Sequence, residues 1–143
     1  MKVLRKSYIL FWITSFSILI DGFLIQNPES VADVNVHDTY YVIAHGLISE
    51  IFSLIFFILG LGYWILERLH RNVNQYLTII HIIGTVGIAW LYKFILVGFN
   101  LFELKNLELI NAIMLISFSL AFLVQPIYIV NIIIAIVKPK ARQ

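Results

Sequence analysis

The chain has 143 residues, of which 61% are hydrophobic and 13% charged, with a formal net charge of +2; its mean hydropathy is +0.93. A water-soluble domain of this size has too little interior to hide so much apolar surface, so the composition points to a membrane protein. Cysteine is absent, which excludes disulfides, thiolate metal sites and cysteine nucleophiles, and the few scattered basic residues make no face for nucleic acid.

In chain order, four apolar segments are expected as spans: about Tyr8 to Ile25, Tyr41 to Leu66, Tyr76 to Phe99 and Leu107 to Val137. Each reaches the roughly 20 residues needed to cross about 30 Å of hydrocarbon. Their Ile- and Phe-rich runs still read as helix, because backbone groups in lipid must be satisfied within the segment. The expected fold is an all-α, four-helix transmembrane bundle forming one domain over residues 1–143. No small-residue cleavage site follows the first span, so it reads as retained rather than as a signal peptide. With Met1, Lys2, Arg5 and Lys6 at one end and a basic tail at the other, the chain reads as a complete small protein.

Orientation follows from the basic residues. Lys2, Arg5 and Lys6 precede the first span, Arg68 and Arg71 lie between the second and third, and Lys138, Lys140 and Arg142 follow the fourth. The stretch from Gln26 to Tyr40 carries Glu29, Asp33 and Asp38 with no Lys or Arg, and the Asn100 to Asn106 turn has only Lys105. The positive-inside rule then places both termini in the cytoplasm.

Two charges fall inside spans. Glu50 lies nine residues into the expected second span and Lys93 six residues before the end of the third, so antiparallel helices bring them to similar depths. An ionised group in lipid costs roughly 2.5–3.5 kcal/mol on insertion scales, and a buried Glu50–Lys93 pair is the expectation. Asp21, near the end of the first span, is placed to join them. A proton path gets little support from one pair with no chain of polar residues toward the cytoplasm. Gly46, Ser53, Gly60, Gly84 and Gly87 permit close helix approach, Pro126 should kink the fourth helix, and Asn131 is available to satisfy a carbonyl freed there or a neighbouring chain.

Residues 37 to 45 read His37-Asp38-Thr39-Tyr40-Tyr41-Val42-Ile43-Ala44-His45. This run resembles subunit I of the haem-copper terminal oxidases, the cytochrome c oxidase core. In that family it continues as His-x-His, the first imidazole holding the high-spin haem iron and the second the low-spin one; here it continues Gly46-Leu47. The third span's His81-Ile82-Ile83 and Val86-Gly87-Ile88 are similar to the family's eleventh helix, without its downstream Pro-x-His. The resemblance covers residues 33 to 45 closely and the rest by layout, as the last four of twelve helices.

The resemblance implies a haem axial ligand at His45, with Tyr41 beside it, and a metal or propionate contact at His37 and Asp38. Helices carrying the copper ligands and the second low-spin ligand have no counterpart, so no copper is expected and no oxygen reduction by this chain alone. On an expected helix His45 lies one turn below Tyr41, facing Ile48, Ser49 and Phe52; the plainer reading is an interfacial histidine bonded to a carbonyl. Asp38 likewise reads as an N-cap of the second helix. His81 is on the order of 25 Å from His45, so a bis-imidazole haem would need a second chain. Two functions stay open: a non-catalytic protein derived from subunit I, binding one haem and acting in or beside the respiratory chain of a bacterial cytoplasmic membrane, or a cofactor-free interaction or assembly module. The expected partners are membrane lipid and a homodimer or oxidase subunits.

Overall fold

The computed structural model describes residues 6–25, 31–36, 39–101 and 107–137. Helix α1 (Ser7–Ile20) continues into a π-helical turn (Asp21–Ile25), and strands β1 (Val31–Val36) and β2 (Thr39–Ala44) follow. Then come α2 (His45–Arg68), α3 (Gln75–Ile82), a second π-helical turn (Ile83–Gly87), α4 (Ile88–Leu101), α5 (Leu107–Leu123) and α6 (Gln125–Val137). Among the described residues three helical stretches are long and apolar enough to cross a membrane, Gly46–Arg68, Gln75–Ile95 and Leu115–Val137, while Ser7–Phe23 is a shorter apolar helix.

The exposure pattern is inverted relative to a soluble protein. Thr78, His81 and Asn131 are fully buried, whereas Phe16, Phe94 and Phe122 are 64%, 69% and 70% exposed. Rings so exposed are costly in water and compatible with lipid, and polar groups gain most from burial against one another when the surroundings are hydrocarbon. The chain is a mainly helical integral membrane protein.

The all-α expectation fails in one place. β1 and β2 pair antiparallel, from Val31 opposite Ala44 to Val36 opposite Thr39, so the second helix begins at His45 and not at Tyr41. The local reason is composition: Val31, Val34, Val36, Thr39, Tyr40, Tyr41, Val42 and Ile43 are β-branched or aromatic residues that favour extended backbone. Sheet edges are not tolerated in hydrocarbon, so in an embedded chain the hairpin is expected outside it, before α2.

The chain divides into two compact units, residues 8–61 and residues 62–143 with 1–7, and the division falls within α2. In the unit of residues 8–61, α1 packs antiparallel on the first part of α2. Phe11 lies 6.3 Å from Phe56 and Trp12 stacks on Phe57 at 6.0 Å between ring centroids, Ser15 donates to the Ser53 carbonyl at 2.8 Å, and Gly60 leaves room for Trp12 and Phe11. Gly22, in the first π-helical turn, lies against Ser49.

In the other unit the end of α2 is finished by a Schellman pattern: His70 N donates to Glu67 O and Arg71 N to Leu66 O, both at 2.9 Å. His70 takes φ 53° to close it, the left-handed position where glycine is usual. Asn74 then caps α3 by accepting from Tyr76 N at 3.0 Å, and the Arg71 guanidinium donates to Ile136 O in the last turn of α6 at 3.1 Å. α3 packs on α6 and α4 on α5. The kink expected from Pro126 is present as a break at Val124 between α5 and α6, and it fits against the second π-helical turn: a Cβ on Gly84 would stand 2.6 Å from Val124 Cγ2.

Candidate functional site

The two helix irregularities meet at a buried set of polar side chains in the unit of residues 62–143. Thr78, His81 and Thr85 recur at intervals of three and four along the third span, so they share one face, and all three are buried. Gln125, Tyr128 and Asn131 recur at intervals of three on α6, and Tyr63 comes from the last turns of α2.

One carbonyl fixes the hydrogen-bond directions. Gln125 Nε2 donates to Ala121 O at 2.7 Å, and a carbonyl can only accept, so the Gln125 amide has one orientation. Its Oε1 therefore faces His81 Nε2 at 3.3 Å, and that nitrogen must carry the proton. With the ring neutral, His81 Nδ1 accepts from the Tyr63 hydroxyl at 3.0 Å. Gln125 Nε2 reaches Thr85 Oγ1 at 3.3 Å. Tyr128 stacks on the imidazole at 5.0 Å and meets Tyr63 edge-on at 5.2 Å.

A second branch begins one turn nearer the α2–α3 loop. Asn131 Oδ1 accepts from Asn74 N at 2.8 Å, Asn131 Nδ2 donates to Thr78 Oγ1 at 2.8 Å, and Thr78 Oγ1 donates to Asn74 O at 2.9 Å. The side chains tie α2, α3, the second π-helical turn and α6 together, and each ring nitrogen of His81 is engaged. Among the described residues no group of three or more His, Cys, Asp or Glu is clustered to hold a metal ion.

The residues expected to act from sequence do not belong to this polar set. His37 and Asp38 lie outside the described residues, and the helix that Asp38 was expected to cap starts later, at His45. Tyr41 sits in β2 opposite Val34, so Tyr41 and His45 do not share a helix face. Glu50 is exposed in a groove beside α1, and the Lys93 ammonium stands over the Trp90 ring at 5.2 Å. Because α2 begins at His45, Glu50 lies about 7–8 Å along the axis from the helix start, shallower than the sequence suggested.

Asn131 and Gln125 divide the polar contacts of α6. Gln125, directly before the proline, turns its own amide back onto Ala121 O, and Asn131 instead bridges to α3. Tyr63, Thr78, Thr85, Gln125 and Tyr128 were not singled out by sequence, though a signal existed: polar residues at helical spacing on two apolar spans.

No family model matches the chain, and comparison with curated proteins and with solved structures finds no match to it.

Proposed function

We propose that this chain is a non-catalytic, four-span protein of a bacterial cytoplasmic membrane, with both termini cytoplasmic, that works as an interaction or assembly module. The observation that supports this most is the use of its buried polar groups. The polar side chains between α2, α3 and α6 are bonded to one another, with His81 engaged through both ring nitrogens, and this favours a structural role for them over a substrate site. Such cross-links matter in lipid, where apolar burial gives helices no drive to associate.

A second reading keeps the resemblance to subunit I: a protein derived from the last third of that subunit, acting in or beside the respiratory chain, that binds one haem through His45. The run from His37 to His45 favours it. Under either reading Leu47 stands where the family has its low-spin ligand, and oxygen reduction by this chain alone is not expected.

An absorption spectrum of the purified protein, expressed with haem supplied, separates the two. The expected result is a colourless protein with no Soret band and no oxygen consumption above a heat-denatured control. A stoichiometric Soret band that disappears in His45→Ala would establish the haem reading in its place.

A further inference from the structure

Between α1 and the first part of α2 runs a groove of about 540 Å³, along which Leu19, Glu50, Phe16, Leu54, Phe57 and Trp12 are arrayed. Its polarity is graded. Glu50 is the one charged residue of the lining, and the two serines midway are turned onto each other, Ser15 donating to Ser53 O at 2.8 Å with the hydroxyls 3.0 Å apart. Past them lie the stacked rings of Trp12 and Phe57. The antiparallel packing orders the groove, with Leu19 and Glu50 toward the hairpin and Trp12 and Phe57 deeper.

Glu50 is about 7–8 Å along the axis from the start of α2, and side chains on a helix lean toward its N-terminus. With the hairpin outside the hydrocarbon of an embedded chain, the carboxylate falls near headgroup depth, and Phe16 and Leu54, 64% and 59% exposed, leave the groove open sideways toward the acyl chains. In a membrane-embedded chain such a groove is filled by lipid. We propose that it is a binding site for a phospholipid with a primary ammonium headgroup, the ammonium donating to the Glu50 carboxylate and one acyl chain lying past Phe16 and Leu54 to Phe57 and Trp12. An ammonium N–H makes a charge-assisted hydrogen bond to the carboxylate that a quaternary choline cannot. A headgroup with net negative charge is repelled. The inference rests on embedding in lipid and is independent of the module reading above.

The test uses the full chain with Trp64→Phe and Trp90→Phe, so that Trp12 is the only tryptophan, at one copy per nanodisc. A phosphatidylcholine bilayer is doped with brominated-chain phosphatidylethanolamine, phosphatidylcholine or phosphatidylglycerol, and Trp12 quenching is read. Brominated phosphatidylethanolamine should quench at a mole fraction roughly threefold to tenfold lower than brominated phosphatidylcholine, as expected for a partly exposed charged contact. Glu50→Gln should remove that preference, and Glu50→Lys should make phosphatidylglycerol the strongest quencher. Equal quenching by all three lipids would overturn the site. So would a preference that survives Glu50→Gln, or a Trp12 shielded from every lipid, as a protein segment seated in the groove would leave it.

Discussion

His81 shows how a residue can be conspicuous in a sequence while its work is not. A histidine in an apolar helix suggests a ligand, yet its partners come from Tyr63 and Gln125, 18 and 44 residues away along the chain, and no local pattern announces them. Two costs can be separated there. Interhelical hydrogen bonds in membrane proteins average about 0.6 kcal/mol, while emptying a packed side-chain volume costs roughly 2–5 kcal/mol. His81→Phe, which keeps a ring against Tyr128, should thus destabilise by about 1 kcal/mol and His81→Ala by about 3 kcal/mol, measured by reversible denaturation in mixed micelles. Equal losses would mean that the hydrogen bonds, not the packing, dominate. Glycines give a matching contrast. A Cβ on Gly62 would run into the Tyr128 hydroxyl and stand 3.0 Å from its Cζ, whereas a Cβ on Gly98 meets nothing within 4 Å. Gly62→Ala should therefore cost about 1–3 kcal/mol through displacement of the stacked Tyr128, and Gly98→Ala should be neutral or stabilise by up to about 1 kcal/mol. The same denaturation assay checks both, and a harmless Gly62→Ala would show that Tyr128 is free to move.

Among the elements, the apolar helices are legible because length and hydropathy suffice to define a span, and the kink was legible because proline lacks the donor that a helix interior needs. The hairpin was not. Tyr41, Val42 and Ile43 are as apolar as a span, and hydropathy alone cannot separate an extended run beside the membrane from the first turn of a helix inside it; β-branching and aromatic content could have. Moving the start of α2 to His45 changes the electrostatics of Glu50. A carboxylate deep in lipid demands a partner, but one near headgroup depth can reach water, and exposed ion pairs are worth about 0–1 kcal/mol. A double-mutant cycle with Glu50→Gln and Lys93→Met should accordingly give a coupling below about 1 kcal/mol. Single losses of roughly 3–5 kcal/mol that the double mutant largely restores would mean a buried pair after all. The π-helical turns were also unforeseen. Nothing in Ile83-Gly84-Thr85-Val86-Gly87 requires an extra residue in the turn; the approach of Val124 to Gly84 and the bond from Gln125 to Thr85 are tertiary contacts that sequence order does not display.

For the whole molecule, the number of crossings decides where the ends lie. Three helical stretches pass the length and hydropathy needed to span, and the first apolar helix, Ser7–Phe23, is shorter. If it crosses, the ends share one side of the membrane; if it lies in the interface, they do not. Counting its π-helical continuation, residues 7–25 extend about 28 Å at helical rise, close to the roughly 30 Å of an average hydrocarbon core, and a small mismatch of this kind costs only fractions of a kcal/mol per Å. Lys2, Arg5 and Lys6 precede this helix and the segment after it is acidic, so the positive-inside rule acts in the same direction as length. We therefore expect four crossings. Single cysteines at Lys6, Thr39 and Asn72, each exposed in a chain with no native cysteine, should respond differently to a membrane-impermeant maleimide applied to intact cells. Thr39→Cys should label, while Lys6→Cys and Asn72→Cys should label only after permeabilisation. Labelling of both Lys6→Cys and Thr39→Cys from outside would mean that α1 does not cross, and labelling of Asn72→Cys in place of Thr39→Cys would invert the orientation.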